Sequence, residues 1–185
     1  MTKTIEIFAG PNGSGKTTFG EKTFAKRKDV IYLNPDKIAA GLSINGGDVS
    51  QFEAGRILFR KVDDCLARNI SFAFETTMSG RVWLSIIKKA KKQGYKIKIY
   101  FLFVQTIDLS LKRIKKRVSL GGHDIPKSVV KRRFKKTFNN FINLYSPLAD
   151  EWFIIDNSEN GNFIAQRKNK NPEIFNKTIF KNFFE

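Results

Sequence analysis

The sequence predicts an α/β fold, with a five-stranded, mainly parallel sheet covered by helices on both faces. Short apolar segments of strand length alternate with segments whose apolar residues recur at helical spacing, and short loops connect them. A glycine-rich stretch, "AGPNGSGKTT", follows the first apolar segment directly. The length of 185 residues suits one compact domain, and we expect residues 1–185 to form it.

The predicted elements follow in order along the chain. Strands are predicted at "TIEIFAG", "VIYLN", "ISFAFE", "KIKIYFLFV" and "EWFIIDNS". Helices are predicted at 16–28, 50–69, 81–93, 108–119, from 126 to about 145, and at about 172–184, where the last one docks on the core. Ligands of such sheets bind beyond the carboxyl ends of the strands. The glycine-rich stretch, Asp36, Glu75 and Asp156 all fall at those ends.

The charge of the chain is unusually positive. Lys and Arg number 34 against 17 Asp and Glu, a formal net charge of +17, which attracts anions such as nucleotides, nucleic acid and acidic proteins. The basic runs at 88–98, 112–117 and 131–136 lie in or beside predicted helices, so they are either solvated helix faces or, for a few residues, phosphate contacts. No apolar run approaches the roughly 18 to 20 residues of a membrane span, and no secretory signal is recognised. We expect a cytoplasmic protein without a membrane partner.

Residues 10–17, "GPNGSGKT", match the P-loop pattern between a predicted strand and a predicted helix. The glycines let backbone N–H groups turn towards phosphate oxygens, and the helix N-terminus adds its positive end. Lys16 is expected to reach the β- and γ-phosphates of ATP, and Thr17 to bind Mg²⁺ through its hydroxyl. The predicted nucleotide contacts are Gly10, Pro11, Asn12, Gly13, Ser14, Gly15, Lys16, Thr17 and Thr18. The fold class is therefore the three-layer P-loop NTPase sandwich.

Two carboxylates accompany this loop. Asp36, in "NPDKIAAG", is able to accept a proton from a substrate hydroxyl, to hold Mg²⁺ through water, or to cap a helix. Glu75, in "FETTMSG", is a candidate substrate contact together with Thr76 and Thr77. Glu75 is alternatively a carboxylate on the water shell of the magnesium ion, and the threonines are alternatively helix caps.

A helical lid is predicted at about 108–135, around "GGHDIP". Its arginines are Arg113, Arg117, Arg132 and Arg133. Arginines stabilise the charge that develops on a transferred phosphoryl group, and Arg113 is expected to contact ATP. His123 is expected to fix the loop or to contact the substrate. The chain lacks an "LSGGQ"-like signature and an "NKxD" guanine motif, which argues against a transporter ATPase and a GTPase.

In order along the chain, "AGPNGSGKTT", "NPDKIA", "ETTMSG", "KRVSLGGHDIPKSVVKRRF" and "LADEWFIIDNS" resemble the zeta-toxin-like P-loop kinases, from residue 5 to about 158. Characterised members phosphorylate the 3′-hydroxyl of the sugar in UDP-N-acetylglucosamine or related UDP-aminosugars with ATP and Mg²⁺, and an antitoxin neutralises them. The resemblance implies that Asp36 is the catalytic base and that Glu75 and Thr76 bind the substrate. It also implies phosphate contacts for Lys16 and Thr17, and for Arg117 with Arg132 or Arg133.

Three hypotheses follow. The first is a small-molecule kinase that acts on a sugar nucleotide and belongs to a toxin–antitoxin pair. The second is a polynucleotide or RNA-end kinase, which the +17 charge favours. The third is a non-catalytic, nucleotide-dependent protein that binds a partner such as an acidic antitoxin. The chain is shorter than well-studied zeta toxins and is very basic, so the acceptor stays open.

Overall fold

The computed structural model describes residues 2–27, 29–35, 37–38, 51–159 and 161–184. The strands in these ranges are β1 (Thr4–Ala9), β2 (Ile31–Leu33), β3 (Phe72–Thr76), β4 (Lys96–Phe103), β5 (Glu151–Asp156), β6 (Asn162–Arg167) and β7 (Glu173–Ile174). The helices are α1 (Lys16–Phe24), α2 (Gln51–Ala67), α3 (Trp83–Lys92), α4 (Ile107–Ser119), α5 (Lys127–Asn140) and α6 (Lys177–Phe184). A π-helical turn, Phe141–Tyr145, directly continues α5.

The strands form one sheet of seven in the order β2-β3-β1-β4-β5-β6-β7. The α/β class is confirmed, and the five predicted strands are the parallel ones, β1 to β5. The expectation of a five-stranded sheet was wrong, because β6 and β7 extend the sheet in antiparallel pairing. Of these two strands, only β7, with two residues, lies at the edge, and neither β6 nor β7 has the long apolar run of a central strand.

Helices cover both faces of the sheet. On one face, α2, α3, α5 and α6 pack on β1, β3 and β4 through the main core cluster. On the other face, Phe19 and Phe24 of α1 pack against Phe8, Tyr32 and Tyr100. Because both faces are largely buried, β1, β3 and β4 are mostly apolar, which explains why their sequences were recognisable.

The C-terminal segment 172–184 differs from the predicted single helix. Residues 173–174 form β7, and the helix begins at Lys177. Phe184 is 4% exposed and packs against Phe101 and Phe103, with ring centroids 5.7 and 5.6 Å apart. Phe175 is therefore not part of the helix; it is an exposed residue directly after β7.

The segment predicted as a lid forms a helical hairpin of α4 and α5. Thr106 caps α4, since its hydroxyl accepts from the Leu109 N–H at 3.1 Å. Between the two helices, Ile114, Ile125 and Val130 form a small separate apolar cluster. No helix within the described residues is long and apolar enough to cross a membrane.

Candidate functional site

The loop between β1 and α1 has the backbone conformation of a phosphate cradle. Gly13 and Gly15 have φ angles of 76° and 85°, in the left-handed region that favours glycine. A Cβ on Gly13 would lie 2.6 Å from the carbonyl oxygen of Ser110, and one on Gly15 would collide with the side-chain amide of Asn157. Both positions therefore require glycine. The loop leads into the N-terminus of α1, where backbone N–H groups and the helix dipole favour an anion.

Lys16 and Thr17 begin α1 beside this loop. The Lys16 ammonium donates to the carbonyl oxygens of Gly10 and Pro11 at 3.0 and 2.9 Å. The Thr17 hydroxyl donates to Oε2 of Glu75 at 2.9 Å. Lys16 therefore lies at the cradle, and Thr17 joins the cradle to the end of β3.

The remaining residues of the predicted cradle lie on the same loop. Ser14 is buried, and its N–H donates to the Pro11 carbonyl at 3.2 Å, which closes a turn. Asn12 is half-buried, whereas Thr18 is exposed.

Glu75 is a buried carboxylate that accepts several hydrogen bonds in the described part of the site. It is 7% exposed, and besides Thr17 it accepts hydrogen bonds from the Tyr32 hydroxyl and from Nδ2 of Asn34, the latter at 2.9 Å. A buried carboxylate is costly unless hydrogen bonds satisfy it, and Thr17, Tyr32 and Asn34 donate such bonds here. Glu75 is thereby held within reach of Thr17, which is the arrangement expected of a carboxylate on a magnesium water shell.

Tyr32 was not predicted as a site residue. Its ring stacks on Phe24 at 5.2 Å, and its hydroxyl lies where a Cβ on Gly20 would be, so Gly20 makes room for it. Burial, followed by the hydrogen bond to Glu75, raises the pKa of Tyr32 well above its ordinary value. The hydroxyl therefore stays protonated and donates to Glu75.

Asp36, the predicted base, lies outside the described residues. Its neighbour Asn34 caps the helical turn that follows β2: the Asn34 carbonyl accepts from the Ile38 N–H at 3.0 Å, and Oδ1 accepts from the Lys37 N–H at 3.1 Å.

Thr76 and Thr77 organise the loop that follows β3. The Thr76 hydroxyl accepts from the Met78 N–H at 3.1 Å, and the Thr77 hydroxyl lies 2.9 Å from that of Ser79. The next helix, α3, has no side-chain hydrogen bond at its N-cap, Val82, so these hydroxyls do not cap it. They shape the loop beside Glu75.

Asn157, which follows β5, was also missed. Its side-chain amide donates to the Ser14 carbonyl at 2.7 Å, which ties the end of β5 to the cradle. The Asp156 carboxylate accepts from the Ser158 N–H at 2.8 Å and from Gln105 at 3.2 Å, so it stabilises the turn after β5. Asn34 and Asn157 both directly follow parallel strands, and the strand-end rule that singled out Asp36 and Glu75 applies equally to them.

The first two lid arginines hold neighbouring backbone. Arg113 donates to the Ser158 carbonyl at 2.8 Å, which places α4 against the loop after β5. Arg117 donates to the His123 carbonyl at 2.6 Å and so fixes the "GGHDIP" loop, while the His123 side chain is exposed.

The other two lid arginines lie together on α5. Arg133 is half-buried, and its guanidinium forms no hydrogen bond or ion pair with any residue in the described ranges. Burial and the neighbouring charge of Arg132 lower the pKa of Arg133. A partly desolvated cation beside a second cation favours an anion at this point.

The described residues contain no cluster of three or more His, Cys, Asp or Glu side chains that could hold a metal by themselves. Mg²⁺ commonly binds to one or two protein oxygens together with nucleotide phosphates and water. The Thr17 hydroxyl and the Glu75 carboxylate, 2.9 Å apart beside the cradle, are hard oxygen ligands of this kind. The residues present therefore fit a nucleotide-bound magnesium ion.

The profile of the zeta toxin family matches residues 1–171. The chain belongs to the zeta toxin family. An uncharacterised protein of Haemophilus influenzae is 30% identical to this family member over 134 residues, which cover 72% of this chain and 94% of the relative.

Solved structures share the fold of this zeta toxin family member. The AvrRxo1-ORF1:ORF2 complex matches with a TM-score of 0.81 and 18% identity over 100% of this chain, which spans only 64% of that chain. The PezAT toxin–antitoxin system of Streptococcus pneumoniae matches with a TM-score of 0.65 and 14% identity, over 100% of this chain and 80% of that one. A sugar kinase from Janibacter matches with a TM-score of 0.54 and 15% identity, over 85% and 87%. At these identities, the likenesses establish the fold.

Proposed function

We propose that this protein is an ATP- and Mg²⁺-dependent kinase that phosphorylates a hydroxyl of a sugar nucleotide of the UDP-N-acetylglucosamine type. Membership of the zeta toxin family supports a nucleotide-dependent kinase or toxin. The observation that carries the proposal is the cluster of Lys16, Thr17 and Glu75, because it combines a phosphate cradle with a buried, hydrogen-bonded carboxylate. ATP-dependent chemistry is consistent with a cytoplasmic location, which we also propose.

On the donor side, the backbone N–H groups of residues 10–17 bind the β- and γ-phosphates. The Lys16 ammonium, which donates to the Gly10 and Pro11 carbonyls, donates to phosphate oxygens instead when ATP binds. Thr17 and Glu75 would hold the magnesium ion through their hydroxyl and carboxylate oxygens. When bound, this ion neutralises charge on the phosphate oxygens. Arg113 lies beside the nucleotide at the loop after β5.

On the acceptor side, the substrate hydroxyl lies between Asp36 and the loop that carries Thr76 and Thr77. Asp36 accepts the hydroxyl proton as the acceptor oxygen forms a bond to the γ-phosphorus. The bond between that phosphorus and the β–γ bridging oxygen breaks, and ADP leaves. Residues with hydrogen-bonding groups for the sugar nucleotide are Thr76, Thr77 and His123.

The hairpin of α4 and α5 serves as the lid of this single kinase domain. Arg133 is half-buried, lacks a partner among the described residues and has a lowered pKa, so an incoming phosphoryl group would relieve its desolvation. Arg117 and Arg132 supply further positive charge as the transferred group loses its bond to ADP.

The test is incubation with γ-labelled ATP and a panel of UDP-sugars, nucleosides and RNA 5′-hydroxyl ends. We expect label on a UDP-aminosugar. The Asp36→Asn variant should keep ATP affinity and lose transfer, because amide and carboxylate have the same size but only the carboxylate accepts the proton. Asp29→Asn, at a carboxylate whose side chain is 70% exposed, is the control and should keep full activity. Normal turnover by Asp36→Asn would refute the assignment of the base.

The charge of the lid favours a second property, binding of an acidic partner protein such as an antitoxin. Residues 107–140 carry eleven Lys and Arg against two Asp, which is +9 of the +17 of the chain. The same segment contains a groove of about 280 Å³ lined by Leu111, Ile114, Lys115, Val118, Asp124, Ile125, Pro126 and Lys127. An apolar groove with basic borders suits an acidic amphipathic helix better than RNA, which uses aromatic stacking. Strong salt-dependent binding of RNA, and transfer to its ends, would support the polynucleotide kinase instead.

A further inference from the structure

The end of α5 contains an irregularity with a direct link to the candidate site. The Ser146 N–H donates to the Phe141 carbonyl at 2.7 Å, an i to i+5 bond that closes the π-helical turn Phe141–Tyr145. Single π-turns within α-helices are rare and are frequently found at functional sites.

This turn changes which side chains share a face of the helix. In a regular α-helix, residues five apart point about 140° away from each other, since each residue turns the helix by 100°. An i to i+5 turn brings residues five apart close to the same direction. Asn140 and Tyr145 are five apart, one directly before the turn and one at its end.

Both side chains donate to the loop of residues 76–80. Nδ2 of Asn140 donates to the Met78 carbonyl at 2.8 Å, and the Tyr145 hydroxyl donates to the Gly80 carbonyl at 2.7 Å. Tyr145 is fully buried, so its ring has no freedom to move its hydroxyl elsewhere. Burial also raises the pKa of Tyr145 to about 12, which keeps the hydroxyl a donor.

The loop itself needs such support. Met78 has a φ of 53°, a left-handed conformation that a non-glycine residue adopts only when its surroundings enforce it. Its side chain is 1% exposed in the main core, and its N–H donates to Thr76 at 3.1 Å. The same loop follows Glu75 directly, so its conformation sets where Thr76 and Thr77 point.

We propose that Asn140 and Tyr145, brought to one face of the helix by the π-turn, are positioning residues that fix residues 76–80 for binding of the phosphoryl acceptor. They hold the loop by its backbone and leave the threonine hydroxyls to the acceptor. This assignment rests on the proposed kinase function.

The test compares Tyr145→Phe and Asn140→Ala with Tyr95→Phe. The Tyr95 hydroxyl is a matched control, because it also donates from a buried ring to backbone carbonyls, those of Cys65 at 3.3 Å and Ile70 at 3.1 Å. Amide hydrogen exchange of residues 77–80 and steady-state KM values for ATP and for the acceptor are measured on the intact protein.

For Tyr145→Phe, we expect loop exchange and the acceptor KM to rise by about two- to tenfold, the factor that one neutral hydrogen bond provides. The KM for ATP should stay at the wild-type value. Asn140→Ala should act in the same direction. Tyr95→Phe should lower thermal stability without changing loop exchange or either KM.

Unchanged exchange of residues 77–80 in both variants would overturn the proposal whatever the kinetics. Faster exchange with an unchanged acceptor KM, or an equal rise in both KM values, would overturn the acceptor-positioning role. If the wild-type protein phosphorylates no acceptor, the kinase function and the acceptor role both fail, while the exchange data still decide whether the two side chains hold the loop.

Discussion

Removal of the Tyr32 hydroxyl should separate the magnesium function that we propose for Glu75 from the stability of the fold. The Tyr32→Phe variant keeps the ring stacked on Phe24 at 5.2 Å and deletes the hydrogen bond from the Tyr32 hydroxyl to Glu75. Thr17 and Asn34 remain, each at 2.9 Å, so the carboxylate is loosened without being left unpaired.

The expected loss of stability follows from the charge of Glu75, which accepts the hydrogen bond from Tyr32. A hydrogen bond to a charged group contributes about 1.5–3 kcal/mol. For a protein of this length, each kcal/mol lowers Tm by about 2–4 °C, so we expect a fall of roughly 3–12 °C. If about 1.4 kcal/mol of that loss affects the position of Glu75, the Mg²⁺ concentration for half-maximal activity rises by roughly tenfold.

The assay is ATP turnover over a range of Mg²⁺ concentrations, together with thermal unfolding. Tyr100→Phe is the matched control, because the Tyr100 ring stacks on Phe8 at 5.2 Å on the same face of the sheet, and its charged neighbours are Glu6, Arg27 and Glu151. It should lose stability without changing the Mg²⁺ requirement. An unchanged Mg²⁺ requirement in Tyr32→Phe, with a Tm loss like that of Tyr100→Phe, would refute the assignment of Glu75 to the magnesium shell.

Two further predictions concern the cradle and the acid stability. Gly15→Ala places a Cβ against the Asn157 amide at a φ of 85° and should weaken ATP binding by roughly tenfold, about 1.4 kcal/mol, in a titration. Gly94→Ala, at a φ of 81° with no atom within 4 Å of the added Cβ, should affect stability alone, so equal loss of ATP affinity in both would contradict the steric reasoning. Burial opposes the ionisation of Asp150, but the bonds from Lys91 and the Ile97 N–H outweigh it and lower the pKa of Asp150. The contribution of ionised Asp150 to the free energy of unfolding is therefore fully present above the carboxyl's unfolded pKa of about 3.9, and it is lost as the pH falls through the folded pKa. In a plot of the free energy of unfolding against pH, Asp150→Asn should therefore show a smaller fall at the acid end than the wild type.

Much of the fold could be read from the sequence because it is encoded locally. The central strands β1, β3 and β4 are buried on both faces and are therefore rich in apolar residues. The strands β6 and β7 could not be read in this way. The apolar run of β6 is short, Phe163 to Ala165, of which only Ile164 and Ala165 are buried, and the strand pairs with β5.

The candidate site also contains residues that the sequence identifies and residues that only the fold brings together. The sequence by itself determined the P-loop, because its glycines, Lys16 and Thr17 lie within eight residues and fold as one unit. Only the tertiary structure decided what surrounds Glu75. Tyr32 is 43 residues away from Glu75 along the chain, and Asn157 is 143 residues away from Ser14.

Parallel strands bring such residues to one edge of the sheet, and a motif search along the chain does not register that proximity. The π-turn is a further case, since its bond pattern reflects how α5 packs on the sheet and on the loop after β3. The donor half of the site was therefore contained in one short motif. The conformation of residues 76–80 depends on hydrogen bonds between residues that are more than sixty positions apart, and these form only when the sheet is assembled.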